Sequence, residues 1–448
     1  MAEMSRAADI SSGAKKLRVG IAGVGTVGGS VVRLLAQQDA ALTARTGAKI
    51  VVTAFSARDR AKDRGFDSAG ITFFDDPVAL AASPDIDLFV ELIGGDEGVA
   101  RTSVETALKD GKPVVTANKA LLAKHGLALA ALAEEKGVAL AYEASVAGGI
   151  PIVKTLREGL AGNSIERVYG ILNGTCNYIL SKMETDEQPF EVCLKEAQRL
   201  GYAEADPTFD IGGFDTAHKL AILASLAFGA EIDAGAIAVE GIENVTLADL
   251  KGADELGYRI KLLGVAQRTP NGVEQRVHPT MVSKTSAIAQ VMGVTNAVTI
   301  DADAVHELTL VGPGAGGAAT ASAVVADIAD IARGVRSSPL GLPRAALVRI
   351  GRVEMQRHEG GYYIRLSVYD KPGAFAGIAG RMAERGISLE SIVQRGRPTG
   401  GRPNDGAPVP VVLITHATTE KLVREALDAI EADGYVAERP QSIRIERE

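Results

Sequence analysis

The stretch Leu17–Gly28, LRVGIAGVGTVG, limits the possible folds more than any other part of the chain. Leu17 to Ala22 alternates and then runs apolar, like a buried parallel strand. Gly23-Val24-Gly25-Thr26-Val27-Gly28 follows, and Ser30 to Gln37 carries helical spacing. A GxGxxG spacing is weak evidence alone. Closing a strand and opening a helix, it is the turn that wraps a dinucleotide. Gly23 permits the tight turn, Gly25 lets backbone approach a pyrophosphate, and Gly28 lets helix and strand pack closely. Thr26 and Val27 lie at the helix N-terminus, whose free N–H groups and positive dipole suit phosphates.

The strand–helix alternation continues. Lys49–Phe55, Ile86–Ile93 and Lys112–Thr116 read as strands, Val99–Leu108 and Leu121–Lys136 as helices, which predicts a doubly wound parallel sheet over residues 1–137. The second strand ends in Ser56-Ala57-Arg58 instead of the acid that binds an NAD ribose. Arg58 is either a partner for a 2′-phosphate, favouring NADP over NAD, or a solvated loop arginine.

At roughly 150 residues per domain, 448 residues suggest about three domains. Residues 138–312 read as a second, α+β domain for substrate and dimerisation. Residues 313–345 form an Ala-rich helix returning to the nucleotide domain, then the linker Ser337–Pro343. Residues 350–448 hold a βαββαβ pattern, a ferredoxin-like unit, with a long loop at Arg395–Pro408. The chain has 50 glycines without a three-residue period, which places the surplus at turns and close approaches. Aromatics are only 4%, so the cores must be aliphatic. A net charge of −8 argues against nucleic acid and anionic membrane as partners. Cys176 and Cys193 give no metal spacing, and neither a secretory signal nor a membrane-length apolar run is visible. A cytoplasmic protein is expected.

Two segments carry unusual chemistry. Thr116-Ala117-Asn118-Lys119 sits at the carboxyl end of a nucleotide-sheet strand, where such sheets bind ligands. Gly201-Tyr202-Ala203-Glu204-Ala205-Asp206-Pro207 runs on through Asp210 and Asp215 to Lys219. Asp215 and Lys219 are spaced i, i+4 on one helical face, and spacing alone makes them an ordinary surface ion bridge.

Together, EASVAGGIPI (143–152), GILNGTCNYIL (170–180), GYAEADPTFDIGGFDTAHKLAIL (201–223), TANK (116–119) and GPGAG (312–316) closely resemble homoserine dehydrogenase. The tail, with Asp370-Lys371-Pro372-Gly373-Ala374-Phe375, resembles an ACT domain. The resemblance implies reversible NAD(P)-dependent hydride transfer between L-homoserine and L-aspartate 4-semialdehyde, in the biosynthesis of threonine, methionine and isoleucine. Lys219 matches the catalytic lysine, a role that wants its pKa brought toward neutrality. Lys119 matches a second lysine between nicotinamide and substrate. Glu204 and Asp215 match substrate-binding carboxylates. Asp210 either touches substrate or orders the loop. Gly201 and Gly314 would lie beside the cofactor. Glu143, Val146, Gly148 and Ile150 align with a structural sodium site.

The resemblance also implies a homodimer or homotetramer and an L-threonine effector at the ACT domain; a dimerisation module without ligand is the alternative. Ala319 replaces an expected proline, and Cys176 stands where threonine is common. Two other readings stay open: an inactive ACT-containing amino-acid sensor, opposed by the retention of Lys119, Lys219, Glu204 and Asp215, and another semialdehyde dehydrogenase.

Overall fold

A computed structural model describes residues 15–270, 272–349, 359–394 and 408–446. The polar leader before Lys15 and nearly all of the loop at 395–408 lie outside the described residues.

The first sheet is parallel. β1 (Lys15–Ala22), β2 (Ala48–Ser56), β3 (Thr72–Phe74), β4 (Leu88–Glu91), β5 (Val114–Thr116) and β6 (Leu140–Ala141) lie in the order β3-β2-β1-β4-β5-β6. The order reverses beside β1, and that crevice is where such sheets take their ligands. β1 passes from exposed Lys15 to fully buried Ile21 and Ala22, as its sequence requires. Helix α1 (Thr26–Gln37) follows at once, and α2 (Lys119–Lys136) starts just beyond β5.

The second sheet is larger and mostly antiparallel. It contains β7 (Ile165–Ile171), β8 (Ala238–Val239), β9 (Tyr258–Thr269), β10 (Gly272–Ser283), β11 (Thr295–Ala302) and β12 (His306–Pro313). Its core-facing helices are α3 (Gly174–Asp186) and α4 (Phe214–Phe228). The long hairpin β9–β10 has no counterpart in the sequence reading. β10 buries Glu274, Arg276, His278 and Thr280 at positions where alternation would put apolar residues, and it carries Pro279 inside a paired strand.

Helix α5 (Gly317–Ala332) returns to the first sheet. Its Ala321, Val324 and Ile328 pack with Val31 and Leu35 of α1 and with Val19 and Ile21 of β1, in a mainly aliphatic core that also holds Phe55. The stretch Ser337–Pro343, a linker by composition, is tied down. Leu340 is buried and the Tyr142 hydroxyl donates to the Pro339 carbonyl at 2.5 Å. The Ser337 hydroxyl adds a bond to Glu158 at 3.0 Å.

The tail forms β13 (Glu359–Tyr369), α6 (Ala374–Glu384), β14 (Leu389–Gln394), β15 (Pro408–Thr415), β16 (Thr418–Thr419), α7 (Glu420–Ala432) and β17 (Gln441–Glu446). Its four main strands run β17-β13-β15-β14, with Ile378, Met382, Val423 and Ile430 covering one face. This unit does not hang free. β17 pairs in parallel with β10, Thr280 opposite Arg444 and Val282 opposite Glu446, so one continuous sheet joins both parts.

Beneath β9 lies a buried cation. Lys261 is 1% exposed, and its ammonium donates to Asn177 Oδ1 at 2.9 Å and the Val291 carbonyl at 2.6 Å, two neutral acceptors. Burial, with Arg259 nearby, pushes its pKa down to about 7. The unfolded chain holds that proton until about pH 10, so the folded state gains stability from this group as pH rises from 7 toward 10. Wild type is therefore expected to gain melting temperature relative to Lys261→Met across that interval, as followed by thermal denaturation. A gap that stays constant with pH would refute this account.

Candidate active site

The glycine turn is sterically committed. Gly23 has φ +93°, and a Cβ there would lie 2.4 Å from the Leu92 carbonyl oxygen; a Cβ on Gly28 would lie 2.2 Å from the Gly23 oxygen. Gly25 faces open space, and Thr26 and Val27 open α1, so their amides are presented to a ligand. The Gly23 N–H donates to the Ser56 carbonyl at 3.0 Å, which sets the end of β2 beside the turn. Arg58 follows, exposed and without a partner among the described residues. Two further arginines flank it, Arg60 over the Phe73 ring and Arg64 over the Phe55 ring.

Across the crevice a buried network sets Lys119. Glu91, at the end of β4, accepts from the amides of Ile93 and Gly94 at 2.7 and 2.9 Å and from the Thr116 hydroxyl at 2.6 Å. Thr116 Oγ1 accepts the Asn118 N–H at 3.0 Å. Asn118 caps α2, accepting from the Leu121 amide at 3.1 Å, and donates to the Gly95 carbonyl at 2.6 Å. Lys119 is thus fixed as the first residue of the helix.

The second sheet supplies the other half. Asn173, between β7 and α3, caps α3 through Oδ1, 2.8 Å from the Cys176 amide. Its Nδ2 donates to Asp210 Oδ1 at 2.8 Å and to Asp215 Oδ2 at 2.9 Å. Lys219 Nζ donates to Asp215 Oδ2 and to the Leu172 carbonyl, each at 2.7 Å. Lys119 Nζ stands 3.2 Å from Asp215 Oδ1. One carboxylate therefore bridges two ammonium groups from different sheets. The Asp215 and Lys219 side chains are only 6% and 12% exposed, so spacing misrepresents this pair as a surface bridge. Burial alone would raise the Asp215 carboxyl, but Lys219, Lys119 and the Asn173 amide outweigh it and hold it far below the usual range. Burial wins at Asp210, which is raised. Cys176 is fully buried with Sγ 3.2 Å from the Asp210 carbonyl, a packing role.

Not every residue singled out from sequence joins this cluster. Glu204 is exposed, and its backbone carbonyl, held by Gln198, is its bonded atom. Gly201, at φ +76°, is likewise at the surface. The Tyr202 carbonyl, accepting from Thr175 Oγ1 at 2.6 Å, ties this segment to the start of α3. Gly314 presses on the Asn296 side chain, and Gly148, with φ +55°, packs on the Gly314 carbonyl. Val146 and Ile150 are buried in that same turn. Glu143 is buried too, and its carboxylate accepts from the amides of Val153 and Lys154 at 2.8 and 2.9 Å. Burial and Asp327 push Glu143 up to about 7. Asn173, Glu91 and Asn118 were missed as site residues; an Asn directly before a helical run is the cap signal that marks two of them.

Family models match three stretches: homoserine dehydrogenase, NAD binding domain, over residues 23–143; homoserine dehydrogenase over 151–329; and ACT domain over 362–433. The homoserine dehydrogenase of Pseudomonas aeruginosa is 45% identical, covering 97% of this chain and 99% of its own length. That of Neisseria gonorrhoeae is 43% identical over 96% and 99%. The chain belongs to the homoserine dehydrogenase family. Among solved structures, the homoserine dehydrogenase of Thiobacillus denitrificans superposes with TM-score 0.90 at 44% identity over 97% of this chain and 99% of that one. A hyperthermophilic archaeal homoserine dehydrogenase in complex with NADPH gives TM-score 0.60 at 27% identity over 70% and 97%.

This homoserine dehydrogenase is thus an oxidoreductase with an NAD(P)-binding Rossmann sheet, an α+β catalytic part and an ACT domain. Among its described residues no helix is long and apolar enough to cross a membrane, and no cluster of His, Cys, Asp and Glu is set to hold a metal ion.

Asn173 offers a clean test of the site's construction. Asn173→Asp keeps the cap on α3 but exchanges the donor for a third carboxylate facing Asp210 and Asp215. The melting temperature is expected to fall and kcat/KM for homoserine to fall about tenfold or more, the cost of two lost hydrogen bonds plus repulsion in a buried site. Asn173→Ala, which also loses the cap, is expected to lose about 1 kcal/mol of stability in addition.

Proposed function

We propose that the Lys119–Asp215–Lys219 bridge is the catalytic centre for reversible hydride transfer between L-homoserine and L-aspartate 4-semialdehyde. The bridge itself carries this reading: two cations converge on one buried carboxylate at the crevice of the nucleotide sheet. When bound, the nicotinamide supplies or takes up the hydride. In the reducing direction the Lys219 ammonium gives a proton to the aldehyde oxygen as negative charge gathers there; in the oxidising direction its neutral amine takes the hydroxyl proton. Lys119 polarises the same oxygen. Asp215, held ionised, places both lysines and pairs with the substrate ammonium. Asp210 and Glu204 complete the carboxylate set, Glu204 by a movement of the exposed 201–206 segment onto bound substrate.

The cofactor is proposed to be NADP, with Gly23, Gly25, Thr26, Val27, Gly28, Lys119, Gly201 and Gly314 around it. Arg58 beside the turn, with Arg60 and Arg64, favours a 2′-phosphate, and the archaeal relative is in complex with NADPH. NAD is the alternative.

Sodium fits the turn Glu143–Ile150. Ala147 and Gly148 are both left-handed there, a geometry that can gather backbone carbonyls, and each Glu143 oxygen keeps a lone pair beyond its one amide. A cation beside Glu143 would favour its ionised form. The residues Glu143, Val146, Gly148 and Ile150 would hold it as a structural brace.

Feedback by L-threonine through the ACT domain, at the turn Asp370–Phe375 where Gly373 has φ +88°, and assembly into a homodimer or homotetramer complete the proposal. The outer edge strand β12, with Val311 half exposed, is open to such assembly.

Steady-state oxidation of homoserine tests the centre. Lys219→Ala is expected to lower kcat by about a thousandfold, the scale of a lost acid–base group; a variant with near-normal turnover would sink the mechanism. Arg58→Ala is expected to raise KM for NADP about tenfold and leave KM for NAD unchanged. Equal effects on the two cofactors would place Arg58 outside the 2′-phosphate site.

A further inference from the structure

Asn296 is a polar residue in an apolar place. It is 1% exposed, and its Oδ1 has no hydrogen-bond partner among the described residues. Val298 and Ile300, its alternates along β11, lie in the main core, where an apolar side chain costs nothing. The backbone beneath it is fixed. The Thr295 carbonyl accepts from Asn177 Nδ2 at 3.1 Å, and Asn177 Oδ1 accepts from the buried Lys261 ammonium at 2.9 Å. An unmet acceptor on so rigid a base is costly and calls for a donor.

Around this amide the chain is nearly bare backbone. On one side Gly314 has no room for a Cβ against the Asn296 side chain, and the peptide that follows Gly314 is stacked on Gly148. On the other side lies Gly174, the first residue of α3, where a Cβ would sit 3.5 Å from Asn296 Oδ1 and 2.7 Å from the Val294 oxygen. The loop from Gly314 ends at Gly317, against Thr26 and Ser30 of α1. Asn296 is thus the side chain between a loop that reaches the dinucleotide helix and the start of α3. The cap of α3, Asn173, clamps Asp210 and Asp215.

The loop has donors to spare. The amides of Ala315 and Gly316 make no hydrogen bond among the described residues. Gly314, which touches the Asn296 amide, is followed directly by these two. Oδ1 is sealed from solvent, so the donor that meets it belongs to the loop and not to a ligand.

We propose that Asn296 is a positioning residue for hydride transfer: when the glycine turn holds cofactor, the 314–316 loop settles and a free loop amide donates to Asn296 Oδ1. That bond fixes the cofactor side of the crevice against the Asn173 clamp. The proposal rests on the placement of Gly314 beside the cofactor.

Hydrogen exchange and NADPH fluorescence titration on the full chain test it. In wild type, NADPH is expected to slow exchange in the stretch 312–318 by about fivefold or more. Asn296→Leu keeps the volume and removes the acceptor; the slowing is expected to vanish and Kd for NADPH to rise about tenfold. KM for homoserine is expected to stay within about twofold, while the deuterium isotope effect on kcat with 4-deuterated NADPH rises, because misalignment slows the hydride step. Asn296→Ser, too short to reach the loop, is expected to behave alike and carries the test if the leucine variant does not fold. Protection of 312–318 that survives in the variants, or variants that raise both KM values equally, would overturn the role of Asn296 alone. NADPH that binds wild type without protecting 312–318 would overturn the placement of Gly314 as well.

Discussion

Everything at the centre depends on one carboxylate. Asp215 is buried and ionised because two ammonium groups and an amide surround it, and the two lysines come close because it lies between them. Neither arrangement would be stable by itself. Two like charges facing one crevice repel, and a lone buried carboxylate would take up a proton. The bridge also joins the two sheets, since Lys119 rises from the nucleotide layer while Asp215 and Lys219 share a helix of the other. Closing the interface and charging the site are therefore a single event.

Polar networks behind the lysines do the positioning. Glu91, Thr116 and Asn118 fix where α2 begins, and Asn173 fixes where α3 begins while holding two acids. Both lysines thus stand close to helix starts or strand ends whose geometry is set by capping, which is more exact than loop placement.

The glycine turn, the parallel sheet and the βαββαβ tail were readable because each has a local signature: alternating apolar residues, glycine at fixed offsets, apolar stripes at helical spacing. The chemistry of Lys119 and Lys219 was readable as motifs. Their meeting on Asp215 was not, because spacing along one helix cannot report burial or a partner from another sheet. β10 escaped for a related reason. Glu274, Arg276 and His278 satisfy one another inside the protein, so a strand with polar residues in its core looks from its sequence like a surface segment. Ser337–Pro343 looks like a free connector because composition cannot show that Leu340 is buried in the core or that Tyr142 and Glu158 bond to the segment.

The parallel pairing of β10 with β17 has a consequence for synthesis. The partners lie about 160 residues apart, a separation that delays pairing. While a ribosome makes the ACT segment, β10 has its β9 side zipped and its other margin covered by β8 only at Arg276 and Val277, so the stretch Thr280–Val282, with hydrophobic Met281 and Val282, waits unpaired. Until Ile443 and Ile445 arrive, that margin is a template for any other nascent strand. A chain cut short before residue 441 therefore leaves behind more than an unregulated enzyme: it leaves an adhesive one.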